Sequence, residues 1–185
     1  IKNASQSLDR ILGKMISDFN ITHSQPGIKI FDGIIGIKEL YNDILKEKGE
    51  ILLMRSSREI TSQEILEHIH NQVSKQVQAN ISVRVISPLM SDTFEKMEFD
   101  KERLTTRRIV PKEILDIPAQ IIIYADKVAI TTYDAPFTTT IIENVIIKTT
   151  FASMFEYIWG KSKEEHDKIC RELEIEMKKK TTTLS

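Results

Sequence analysis

The chain has 185 residues with 26 Lys plus Arg against 27 Asp plus Glu and a single cysteine, a length that suits one globular unit with a sizeable core. The even charge balance excludes a bulk positive field, so any DNA contact must come from a local patch or from outside this piece. Cys170 alone excludes an internal disulfide framework and suits a reducing cytosol, and no apolar run nears the 18 or so residues of a membrane span, so a soluble cytoplasmic protein with no membrane partner is expected.

The chain opens at Ile1 without a basic-then-apolar signal pattern, and a preceding N-terminal part is expected. Residues 1–21 place Ile1, Leu8 and Met15 at one heptad position and Leu12 and Phe19 at the other, with Ser5 breaking the second row. That spacing predicts either a coiled-coil-like dimerisation or linker helix, with Leu8, Leu12, Met15 and Phe19 as its seam, or an amphipathic helix lying on its own domain. Pro26 and Gly27 end it.

From Ile28 strands and helices alternate. "IKIF" reads as a strand; "GIKELYNDILKEKG" reads as a helix burying Ile37, Leu40, Tyr41, Ile44 and Leu45, with Gly49 as its stop. "EILLMRSS" is a buried strand, and "TSQE" is a capping box in which Thr61 and Glu64 satisfy each other's free backbone donors. The helix it opens is expected to bury Ile65, Ile69, Val73 and Val77 before the strand "ISVRVISP". The stretch from Met90 to Leu104 has little period and reads as a mobile loop with a short helix.

"TTRRIVP", the hairpin "PAQIIIYADKVAITTYD" and "TTTIIEN" supply four more strands, and a helix packs Ile147, Phe151, Met154, Phe155 and Ile158 against them. The charged stretch 163–185, which keeps Ile169, Leu173 and Met177 at helical spacing, predicts a helix that frays toward its end. The whole order predicts an α/β domain over residues 28–162 with a mixed sheet flanked by helices.

The order of these elements resembles the C-terminal effector-binding domain of TrmB-type transcriptional regulators, whose fold is similar to that of the phospholipase D superfamily. The likeness rests on "GIKELYNDILKEKGEILLMRSS", "ISVRVISP", "IPAQIIIYADKVAITTY" and "EYIWGKS". It implies a homodimeric, effector-sensing domain whose winged-helix DNA-binding domain lies outside this chain, and a small polar effector such as a sugar. Phospholipase D enzymes use H-x-K-x-x-x-x-D, in which the His attacks phosphorus. Laid on this chain, that motif meets Pro118, Gln120 and Ala125, so no catalytic residue is expected and the protein is expected not to be an enzyme. Two alternatives remain open from other classes: a phosphodiesterase of phospholipase D type, and a structural oligomerisation module without a ligand.

Other constellations are weaker. His68 and His70 point about 200° apart on a helix and cannot share one metal, and His23 and His166 are isolated and expected in solvent, so neither a metal nor a cofactor is expected. The run holding Lys101, Arg103, Arg107 and Arg108 reads as a solvated face rather than an anion site. Cys170 falls in a charged helical stretch and reads as incidental. Ligands of α/β sheets gather at the carboxyl ends of strands, and three such ends carry polar groups: Arg55, Ser56 and Ser57; Ser87; and Thr131 with Tyr133. These residues are the expected ligand site. Alternation along the hairpin gives Thr131 and Tyr133 one face and Thr132 the other.

Overall fold

A computed structural model describes residues 27–134 and 137–183. The expected seam of Leu8, Leu12, Met15 and Phe19, like His23, lies outside the described residues. The strands are β1 (Gly27–Asp32), β2 (Ile51–Met54), β3 (Val83–Pro88), β4 (Thr105–Val110), β5 (Gln120–Tyr124), β6 (Lys127–Thr132) and β7 (Thr138–Glu143). The helices are α1 (Ile34–Glu47), α2 (Gln63–Gln78), α3 (Thr93–Glu98), α4 (Val145–Lys161) and α5 (Lys163–Thr183).

The strands form one mixed sheet in the order β1-β7-β6-β5-β2-β3-β4. β2, β3 and β4 run parallel, because each is joined to the next through a helix, whereas the remaining pairs are antiparallel. The expected hairpin is β5 and β6, closed by Ala125 and Asp126, with Ala125 at a left-handed φ of 43°. Strands buried on both faces carry continuous apolar runs, and β2 does so. Leu52 and Met54 join a core with Phe155 of α4 on one side, while Ile51 and Leu53 join a core with Ile37, Leu40 and Ile44 of α1 on the other.

Several local expectations shift by a residue or a face. α1 starts at Ile34, two residues before the predicted Gly36, and its left-handed C-cap is Lys48 rather than Gly49. The hydroxyl that caps α2 belongs to Ser62, which accepts from the Ile65 N–H at 3.5 Å, and not to Thr61. On α2 only Ile65 of the predicted apolar set is fully buried; Ile69, Val73 and Val77 are half-covered because the helix stands off the sheet. α4 buries Phe155 completely and packs Ile147, Phe151 and Ile158, but Met154 is 52% exposed and points away from the sheet.

α5 covers the edge strand β4, and this accounts for a residue expected in solvent. His166 is half-buried, and its Nδ1 accepts the Ile109 N–H of β4 at 3.3 Å, satisfying a donor that an edge strand would otherwise leave free. Cys170 lies beside the same ring at 3.7 Å. Burial lowers the imidazole pKa from 6.5, Asp167 works against that shift, and the charge of Arg108 adds to it. The folded protein therefore binds fewer protons here than the unfolded chain. The stabilisation is full above pH 6.5 and is lost as the pH falls from there through the lowered folded value. Urea midpoints are expected to drop between pH 7 and pH 5, with a smaller drop in His166→Gln. An unchanged slope would mean that the Ile109 bond does not hold α5.

Candidate ligand-binding site

Because α2 stands off the sheet, a cavity of about 970 Å³ opens between α2, α3 and the face of β2, β3 and β4. Its floor is Leu53, Val83 and Val85, the side chains that alternate onto that face, and its helical wall is Leu66, Ile69 and Val73. The cavity runs to the carboxyl ends of β2 and β3, where the parallel strands leave free polar ends.

Arg55 follows the last residue of β2 and keeps the parallel ladder going, since its N–H donates to the Ile86 carbonyl at 2.9 Å. Its guanidinium donates twice to the Asp92 carboxylate just before α3, at 3.0 and 2.9 Å. Lys96, one turn into α3, donates to the same carboxylate at 2.5 Å. Burial alone would raise the Asp92 pKa, but the bonds from Arg55 and Lys96 outweigh it and hold the carboxyl at about 2. The three side chains clasp α3 to the end of β2.

Ser56 donates to the Pro118 carbonyl at 2.7 Å and accepts from the Arg58 N–H, so it joins the β2 end to the approach of β5. Tyr133 is 4% exposed, yet its hydroxyl has no hydrogen-bond partner, with the Gln120 amide as its polar neighbour. Burial pushes the phenol pKa up, and nearby Tyr41 adds to the shift. Tyr41 is itself raised to about 12 by burial.

Of the residues expected to bind ligand, the structure brings Arg55, Ser56 and Tyr133 together in the cavity lining. Ser57, Ser87 and Thr131 do not reach it. Ser57 donates outward to Asp116 at 2.5 Å, Ser87 is fully buried and donates to the Pro88 carbonyl, and Thr131 pairs with Thr139 at 3.2 Å beneath α1. Sequence reasoning missed Asp92 as the partner of Arg55, Lys96 as the second donor to that carboxylate, and Gln120 as a lining residue. The i, i+4 spacing of Asp92 and Lys96 was the available signal.

The basic run is a solvated face only in part: Lys101 is exposed, whereas Arg103, Arg107 and Arg108 are partly covered and engaged. Arg107 and Arg108 are consecutive strand residues and so point to opposite faces of β4. Arg107 is bound twice by Asp100 at 2.8 and 2.7 Å, while Arg108 donates to the Trp159 carbonyl and lies over the Trp159 ring. Arg103 covers the Phe99 ring at 5.1 Å. Among the described residues no group of three or more His, Cys, Asp or Glu side chains gathers to hold a metal, and no helix is long and apolar enough to cross a membrane.

No family model and no curated protein matches this chain. Solved structures are similar to it in fold. The structure of TrmBL2, an archaeal chromatin protein described with a novel mode of DNA binding, superposes with a TM-score of 0.54 at 13% identity, over 86% of this chain and 62% of that one. NucT from Helicobacter pylori superposes with a TM-score of 0.58 at 11% identity, over 75% of this chain and 98% of that one. The fold is thus related to that of a TrmB-like protein, and this chain spans about 62% of the TrmBL2 chain.

Proposed function

We propose that this chain is the effector-sensing and dimerisation domain of a TrmB-like transcriptional regulator, with a phospholipase D-like fold that has lost its chemistry. The carrying observation is the cavity at the ends of β2 and β3, which holds a guanidinium and a buried, unpaired tyrosine hydroxyl. A buried hydroxyl without a partner is costly to keep, and a ligand oxygen would repay it. The fold likeness to TrmBL2 supports the regulator reading. In this reading DNA is reached through a winged-helix domain outside the chain, and residues 1–21 hold two copies together.

The reading includes the absence of catalysis and of a cofactor. Gln120, at the place the resemblance gives to a catalytic lysine, lines the cavity, and the Pro118 carbonyl is occupied by Ser56. Ala125 sits at the far end of β5, about 17 Å along the strand from Gln120. Bis(p-nitrophenyl) phosphate should not be turned over. Turnover lost in Gln120→Ala would restore the phosphodiesterase reading.

A thermal-shift panel of sugars, polyols and organic acids tests the sensing role. At least one compound is expected to raise the melting temperature, with its affinity reduced about tenfold or more in Arg55→Ala, the loss typical of a charged hydrogen-bond partner. A hit that survives Arg55→Ala places the site elsewhere. No hit across the panel favours the structural module.

A further inference from the structure

The distribution of polarity in the cavity narrows the ligand class. A sugar needs donors and acceptors along its whole length. Here the sheet floor of Leu53, Val83 and Val85 offers no side-chain hydrogen bond, while the helical wall sets Leu66, Ile69 and Val73 among Gln63, Glu67, His70 and Asn71. Arg55 and Lys96 stand together at the strand-end corner, where they can fix an anionic head.

That corner is built for an anion. Arg55 and Lys96 bring two positive charges against the one negative charge of Asp92, leaving an excess of one. The guanidinium already holds a carboxylate in the two-bond geometry that suits this pair of groups. Tyr133, which feels the charge of Arg55, adds a hydroxyl that is buried in the lining and donates to nothing. Asp92 keeps Lys96 as a partner when Arg55 is taken from it, so its displacement leaves no orphaned charge.

Building on the ligand-binding reading above, we infer that the cavity takes a monoanionic amphipathic molecule, a carboxylate on an apolar body of about medium-chain length. The ligand carboxylate takes the place of Asp92 on Arg55 and accepts the Tyr133 hydroxyl, while the apolar body lies along Leu53, Val83 and Val85. The exchange releases α3 from the end of β2. Occupancy is thereby converted into a change at the cavity rim.

The test is calorimetric titration with octanoate, 1-octanol and sorbitol, which separate the carboxylate, the apolar body and the polyol. Octanoate is expected to bind at least tenfold more tightly than 1-octanol, with sorbitol weakest. Arg55→Gln should bring octanoate down to the level of 1-octanol. Tyr133→Phe should weaken octanoate several-fold while leaving the melting temperature unchanged or higher, since the lost hydroxyl makes no bond in the empty protein. Asp92→Asn removes the internal competitor and should tighten octanoate several-fold, an effect that a merely structural clasp would not produce. Equal binding of octanoate and 1-octanol, or octanoate binding indifferent to all three substitutions, overturns the inference. Sorbitol binding without octanoate binding overturns the ligand class and leaves the sensing role standing. Failure of all three probes and of the wider panel removes both.

Discussion

Phe155→Ala is expected to lower the free energy of unfolding by about 3–5 kcal/mol, read from urea denaturation, because the site cannot collapse around the cavity it would leave. The ring is completely buried and packs in one cluster with Leu52, Met54, Ile86 and Val128, side chains fixed to three different strands of the sheet, β2, β3 and β6. It also stacks on Trp159 with centroids 5.6 Å apart and planes 17° from parallel, and the Arg84 guanidinium lies 5.6 Å from its centre. Arg84 is in turn bound twice by Glu50 and twice by Glu156, so the ring backs an ion network as well as a core.

The effect reaches the candidate site through β2. Leu52 and Met54 rest on the Phe155 side of the sheet while Leu53, between them, forms cavity floor on the other. Loosening one face loosens the other. Met154→Ala supplies the control: the neighbouring side chain is 52% exposed, and its loss is expected to change stability by less than about 0.5 kcal/mol. If Phe155→Ala cost no more than Met154→Ala, α4 would not be anchored to the sheet as described.

How far these features were legible depends on what periodicity can encode. The hairpin of β5 and β6 was plain, since two apolar runs flank a two-residue turn and only one pairing register keeps both faces buried. The alternation of strand and helix, followed by strands in close succession, likewise predicted a mixed sheet, though not which strands pair parallel. The stand-off of α2 was not legible. Ile69 and Val73 recur at helical spacing whether the facing space is filled or open, so the same letters predict a core and a cavity wall.

Hydroxyls show the same limit. Ser87 and Thr131 sit at strand ends as read, but Ser87 turns its hydroxyl back onto the next residue's carbonyl and Thr131 pairs with Thr139 across the β6–β7 ladder, choices that residue type alone does not reveal. Thr61 and Ser62 are adjacent and chemically alike, so composition could not decide which one caps α2. The charge run from Asp100 to Arg108 misled for a different reason: a strand splits consecutive arginines between two faces, whereas a count of charges treats them as one.

Gly36→Val is expected to cost about 3 kcal/mol or more, at or beyond the upper end of the usual overpacking range, a large fraction of the stability of a domain of this kind. A Cβ at this position would lie 2.8 Å from the Thr139 Cβ and 2.9 Å from the Phe31 Cβ. Both atoms are fixed to strand backbone, in β7 and β1, so neither can rotate away. Thr139 is further held by its bond to Thr131. The glycine is therefore needed for close approach of α1 to the sheet, and not for its backbone freedom. Gly36→Ala separates the two opposing effects: helix propensity favours Ala by about 1 kcal/mol, overpacking opposes it by about 1–3, and a net loss is expected. At Gly160 in α4 a Cβ would meet nothing within 4 Å, so Gly160→Ala should stabilise by about 1 kcal/mol from propensity alone. The height of α1 above the sheet also fixes Tyr41 and Ile44, both in the cavity lining, so folded Gly36→Ala should bind octanoate more weakly than the parent chain. A Gly36→Val protein as stable as the parent would show that α1 can lift from β7 without cost, and the cavity wall it carries would then have no fixed position.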